Sequence, residues 1–227
     1  MDYTTVDPLI RWEFEMSYTY VEEIANSITH GVGALMSVAC LTLLVVFASF
    51  YGTASHVVGC TIFGSTMVLL YTASTLYHSL QIPRIKSIFK VIDHACVYLL
   101  IAGSYTPFAL VTLKGGWGYT ILIMIWALAV LCIVFKIFST HRFKSVTLIS
   151  YVFMGWLVVA AIKPLIEHLP VGGLILLMSG GMAYTLGLIF YTWKKLPYSH
   201  TVWHLFVLCG SICHFFAVLF YVIPLNV

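Results

Sequence analysis

Charge is what this sequence has least of. Asp, Glu, Lys and Arg make up 8% of its 227 residues, against about 25% in soluble domains. Hydrophobic residues reach 61% and mean hydropathy is +1.01. No soluble fold of this length hides that much apolar surface, so the soluble enzyme and binding-module classes are excluded. The net charge of +3 is too small to point to a nucleic-acid partner. Polar linkers, a second domain and an internal repeat are also missing. The six cysteines lie in apolar runs without a CxxC pair; this excludes a disulfide framework and reads them as small buried hydrophobes. Residues 1–22 lack the basic start, short apolar core and small-residue cleavage site of a signal peptide. They read as a short cytoplasmic lead-in to a membrane domain over 23–227.

What is present is a series of apolar runs long enough to cross a bilayer, which takes about 20 residues each. Seven are predicted: Ile24–Phe50, His56–Tyr77, Val91–Thr112, Gly118–Phe138, Val146–Ile162, Val171–Trp193 and Val202–Ile223. In lipid the backbone must satisfy its own hydrogen bonds, so these are helices. The expected fold is an all-α, seven-helix transmembrane bundle. Pro107 is expected to kink the third span. "KGGWGY" (114–119) reads as a tight glycine turn, and Pro164 and Pro170 as brackets around the "LIEHL" connection.

Orientation follows from the loop lysines and arginines. Arg11, Arg84, Lys86, Lys90, Lys136, Arg142, Lys144, Lys194 and Lys195 fall on the side of the N-terminus; Lys114 and Lys163 fall on the other. The N-terminus is therefore expected in the cytoplasm and the C-terminus outside. The last span carries no lysine, which excludes a retinal Schiff base. Paired histidines leave a b-type haem to be checked by its Soret band.

The polar residues inside the spans gather at one end. Glu23, Asn26 and His30 recur on one face of the first helix, and Ser74 and His78 share a face at the end of the second. Asp93 and His94 open the third, and His200 and His204 open the seventh. With the expected topology all four groups lie within about two turns of the cytoplasmic side. An ionisable group in the bilayer costs roughly 2.5 kcal/mol or more unless paired, so this gathering points to a shared site.

His200 and His204, one turn apart, can chelate one ion, and His78 can add a third nitrogen. Three protein ligands with an open position describe a catalytic zinc site, although imidazole also accepts iron, copper or nickel. Asp93 is either a fourth ligand, which would close the site, or a base acting through a metal-bound water. Ser74 is placed to orient a carbonyl or that water. Glu23, Asn26 and His30 either bind substrate or brace the site, and bracing is preferred. The bland alternative is that each histidine is a hydrogen-bonded packing residue. His214, about 15 Å beyond His204 along the helix, is read in that way, as an interhelical hydrogen-bonding group. His56, His141 and His168 have no partner assigned.

The stretches "EEIANSITHG", "STLYHSL…IDHACVYLLIAGSYTPF" and "PYSHTVWHLFVLCGSICHFFAV" resemble the motifs of the haemolysin III family, within the progestin and adipoQ receptor superfamily. The resemblance runs from about Glu22 to Tyr221. It implies a zinc ion held by His78, His200 and His204 near the cytoplasmic face, with Asp93 reaching it through water and Ser74 beside it. It also implies a bacterial inner-membrane location, the chain having the short form of the bacterial members. Three activities stand as expectations: zinc-dependent hydrolysis of a lipid amide or ester, with membrane lipid as substrate; a non-catalytic sensor or regulator of membrane state; and a pore, the least favoured, because seven apolar spans offer no soluble precursor.

Overall fold

The computed structural model describes residues 18–138 and 144–224. Most of the expected lead-in, together with Arg11, His141 and Arg142, lies outside the described residues. Within them the chain is almost wholly helical, and seven helical stretches are long and apolar enough to cross a membrane. In chain order these are α1 (Tyr20–Tyr51), α2 (Ala54–Ser79), α3 (Pro83–Pro107) with its continuation Phe108–Leu113, and α4 (Gly115–Phe138). The fifth span is made of α5 (Lys144–Gly155), a 3₁₀ stretch Leu157–Ala161 and α6 (Ile162–His168). The last two are α7 (Val171–Thr192) and α8 (Ser199–Tyr221).

Six of the seven spans begin earlier than hydropathy predicts, and at three of them the local reason is plain. α1 starts at Tyr20 because Thr19 and Glu22 form a capping box: the Glu22 N–H donates to Thr19 Oγ1 at 3.2 Å and the Thr19 N–H donates to Glu22 Oε2 at 2.8 Å. α3 starts at Pro83, a residue suited to the first helical turn, and carries Arg84, Lys86 and Lys90 as amphipathic turns ahead of its apolar part. α8 starts at Ser199, after Tyr198 turns the chain with a left-handed φ of 56°. His200 and His204 are thereby firmly helical.

Two expectations about proline and glycine change. α3 does break at Pro107, and the chain continues as a π-helical turn, Phe108–Leu113. The fifth span, in contrast, runs on through Pro164 to His168. Its irregularity lies upstream, at Leu157–Ala161, and Pro164 sits in the first turn of α6, where its missing N–H leaves no helical bond unmade. The glycine turn is confined to Lys114 and Gly115, with φ of 46° and 52°; Trp117 and Tyr119 already belong to α4.

α2, α3 and α8 are the most buried spans and form the centre. α1 packs against α2 and α8, α2 against α3, and α7 against α8. Close approach at α1 depends on Gly33: a Cβ there would lie 2.7 Å from Leu208 Cδ2 and 2.9 Å from Tyr71 Cδ1. One turn before it, His30 faces the same two helices. The core beneath is built from Leu44, Phe63, Met67, Leu70 and Tyr71 with Val207, Phe215 and Val218.

Candidate metal centre

α1, α2 and α8 converge at one end of the bundle and bury their polar faces against each other. Glu23, Asn26 and His30 of α1, Ser74 and His78 of α2, Asp93 of α3, and His200 and His204 of α8 are all buried. His78, His200 and His204 each offer a ring nitrogen, and these atoms lie within 4.8 Å of one another. The ring centroids are 4.5–5.1 Å apart.

The tautomers are set by the outer nitrogens. His78 Nδ1 lies 2.5 Å from Glu23 Oε2; an ionised carboxylate only accepts, so Nδ1 carries the hydrogen. His204 Nδ1 lies 3.2 Å from Thr29 Oγ1. That hydroxyl gives its own hydrogen to the carbonyl of Ala25 or Asn26, both at 2.9 Å, so His204 Nδ1 donates as well. On both rings Nε2 is left with a bare lone pair. The third ring, His200, pairs its Nδ1 with Tyr18 Oη at 3.0 Å. The Nε2 atoms of all three are buried and have no hydrogen-bond partner. Three unpartnered ring nitrogens at one point, two of them fixed as acceptors, are costly in a dry interior, and a cation satisfies all of them together. The donor set therefore fits a metal ion, and the Nδ1 contacts are the outer hydrogen bonds that orient ligating histidines.

The remaining residues divide by what they touch. Glu23 bridges His78 to Lys86, whose Nζ donates to Oε1 at 2.9 Å. Asn26 Oδ1 accepts from Thr201 Oγ1 at 2.6 Å, tying α1 to α8. His30 stacks face to face on His204, with centroids 3.5 Å apart and planes inclined by 11°; neither of its nitrogens has a hydrogen-bond partner. Asp93 faces Ser74 from α3. Its carboxylate is not part of the close group of ligand atoms, and Ser74 Oγ is buried without a partner.

Sequence reasoning missed Tyr18, Thr29 and Lys86. Thr29 adjoins His30 and could have been found from its i, i+3 relation to Asn26. Tyr18 precedes the cap of α1 and has no periodic signal. It stands over the cluster, 4.8 Å from the His200 ring and 6.2 Å from that of His78. Burial, then its neighbours Tyr191 and Glu23, push its phenol above the usual range, so it stays neutral. Glu22 secures this entrance by accepting the Tyr198 N–H at 2.9 Å. His214 is an interhelical group as expected, its Nε2–H donating to Leu177 O at 3.2 Å. His56 and His168 do have partners: Thr53 donates its N–H and its hydroxyl to His56 Nδ1, and His168 Nδ1 donates to Pro164 O at 2.7 Å.

A seven-helix membrane bundle with a buried three-histidine cluster is thus the class of protein that fold and site define. The chain belongs to the haemolysin III family: the family model described as "Haemolysin-III related" matches residues 18–215. Hemolysin-3 of Bacillus cereus is 53% identical over 203 residues, covering 89% of this chain and 93% of the relative. The Hemolysin-3 homolog of Bacillus subtilis is 51% identical over 204 residues, covering 90% and 96%. The human monocyte to macrophage differentiation factor is 27% identical over 166 residues, covering 69% and 67%.

Proposed function

We propose that this membrane protein is a zinc-dependent hydrolase of a lipid amide or ester, working within the bacterial inner membrane. The observation that carries the reading is the set of three buried Nε2 atoms, each without a partner and two of them held as lone pairs by their outer hydrogen bonds. His78, His200 and His204 would hold the ion. When bound, zinc would polarise a carbonyl and bring the pKa of a water toward about 7.

The chain's own residues then have defined tasks. Asp93, buried beside the cluster and outside the ligand group, accepts the proton of the attacking water. Ser74, its hydroxyl unpartnered, donates to the carbonyl oxygen as charge builds there. Glu23 and His30 hold His78 and His204 in place, and Asn26 locks α1 to α8. The membrane lipid is the substrate, its scissile bond brought to the depth of the first turns of α8. The test is release of fatty acid from ceramides, acyl amides and phospholipids by purified, metal-loaded protein. Ser74→Ala and Asp93→Asn should keep the metal and lose the activity. A fully loaded protein that cleaves none of these lipids removes the reading.

A second reading is favoured by one feature: the ligands come from α2 and α8, and two of their braces come from α1. Metal binding would then staple three helices of a non-catalytic regulator of membrane state. In that case Ser74→Ala keeps full cellular function while loss of metal lowers thermal stability. The word hemolysin in the relatives' names suggests a pore; conductance of the purified protein in planar bilayers would support it.

A further inference from the structure

A cavity lies away from the histidine cluster, where α3, the fifth span, α7 and α8 meet. Its enclosed volume is about 50 Å³, and it opens into a wider depression of about 600 Å³ that includes space outside the protein. Four observations coincide there. The π-helical turn after Pro107 contributes Phe108, Ala109 and Leu113 to its wall, and the 3₁₀ stretch of the fifth span contributes Val158 and Ala161. Irregular backbone at membrane depth persists where it is buried or lines a cavity, and π-turns are frequent at functional sites. Two glycines, Gly155 and Gly181, face this cavity, and a Cβ built on either meets no atom within 4 Å. Met178 lines it and is 38% exposed, so the cavity reaches the lipid-facing surface. Lastly, His214 lines it and is 7% exposed, with its Nδ1 buried and unpartnered.

The chemistry of that nitrogen narrows the occupant. His214 Nε2 donates to the Leu177 carbonyl, so Nδ1 is a bare acceptor in need of a donor. The other polar side chains of the wall are satisfied. Ser104 donates to Ile101 O, Tyr105 to the Met154 and Gly155 carbonyls, and Trp156 Nε1 to Thr185 Oγ1. A water needs two to four polar partners, and His214 Nδ1 alone stands free among the described side chains of the wall. Lys, Arg, Asp and Glu are absent from the lining among the described residues, so an ionised ligand has no countercharge. A carboxylate has no hydrogen to give.

We infer that this cavity receives the hydroxyl end of a neutral, slender apolar molecule of the long-chain alcohol class, whose O–H donates to His214 Nδ1 and whose chain runs out through the opening at Met178. The site is independent of the metal centre and stands whether or not the histidine cluster is catalytic.

The test uses the full chain in lipid nanodiscs, hexadecanol with a diazirine close to its hydroxyl end as photoprobe, and its O-methyl ether as the matched molecule without a donor. Labelling is mapped by mass spectrometry. The alcohol should label cavity residues about fivefold more than the ether, the worth of one ordinary hydrogen bond. His214→Leu should bring the alcohol down to the ether's level. Gly181→Leu, which fills the open space and leaves His214 intact, should remove cavity labelling by both probes. Equal labelling by alcohol and ether in the unmodified protein overturns the inference, as does cavity labelling that survives Gly181→Leu. Should His214→Leu fail to fold, the alcohol-to-ether ratio and Gly181→Leu still decide.

Discussion

Glu23 of α1 and His78 of α2 stand 2.5 Å apart, carboxylate oxygen to Nδ1, with Lys86 of α3 closing the other side of the carboxylate. The contact fixes which nitrogen of His78 faces the cluster. A residue outside the three-histidine group thus decides which nitrogen that group presents.

The first prediction concerns that contact. Glu23→Gln keeps an amide oxygen for His78 and removes the charge; Glu23→Ala removes both. Loss of such an outer partner lowers metal affinity about 10–100-fold. Glu23→Ala should reach that range and Glu23→Gln should fall short of it. Competition with a zinc-sensitive dye, read on purified protein, measures both. Equal affinity in all three proteins would show that the carboxylate does not orient the ligand.

The second concerns stability. If α1, α2 and α8 are joined through a bound ion, chelation should lower the unfolding temperature by roughly 5–10 °C at metal concentrations about 100 times Kd. His204→Ala should abolish metal binding and lose the shift. Scanning calorimetry or dye-monitored melting in detergent, with elemental analysis of each sample, provides the check.

Tyr18 gives a third. Tyr18→Phe removes the bond to His200 and keeps the ring over the cluster; Tyr18→Ala removes both. Metal release to a water-soluble chelator should quicken modestly in Tyr18→Phe and at least about tenfold in Tyr18→Ala, a factor equal to about 1.4 kcal/mol. Equal release from both variants would assign the effect to the hydrogen bond alone.

The fourth tests orientation. With the N-terminus in the cytoplasm, alkaline phosphatase fused after residue 227 should be active and green fluorescent protein fused there dark. The reverse pattern would place the histidine cluster at the outer face and require another source for its lipid.

Much of this was legible in the sequence, because membrane helices announce themselves by length and apolarity and because their polar residues are few. His78, His200 and His204 stood out for that reason, and so did Glu23 as a brace. The less visible features are those without a period. Tyr18 precedes its helix, so no face could be assigned to it. His30 could be placed on the right face, but its stacking on His204 depends on how closely Gly33 lets α1 approach. Pro107 signalled a kink in α3 without signalling the π-helical turn that follows it, and Pro164 signalled a break that its place in the first turn of α6 makes unnecessary. Asp93 and Ser74 were legible as neighbours of the cluster; their facing positions required α2 and α3 to be packed.

The wider turn at Phe108–Leu113 has one more consequence. Its hydrogen bonds reach five residues back where an α-helix reaches four, so it accommodates a residue that a regular helix would have to expel. Deleting one residue there would restore regular winding with the flanking chain kept in register, so the change would fall on the Phe108–Leu113 wall and leave Asp93 undisturbed. The third span therefore carries its spare residue at the end remote from Asp93, where a change in length is absorbed before the chain turns at Lys114.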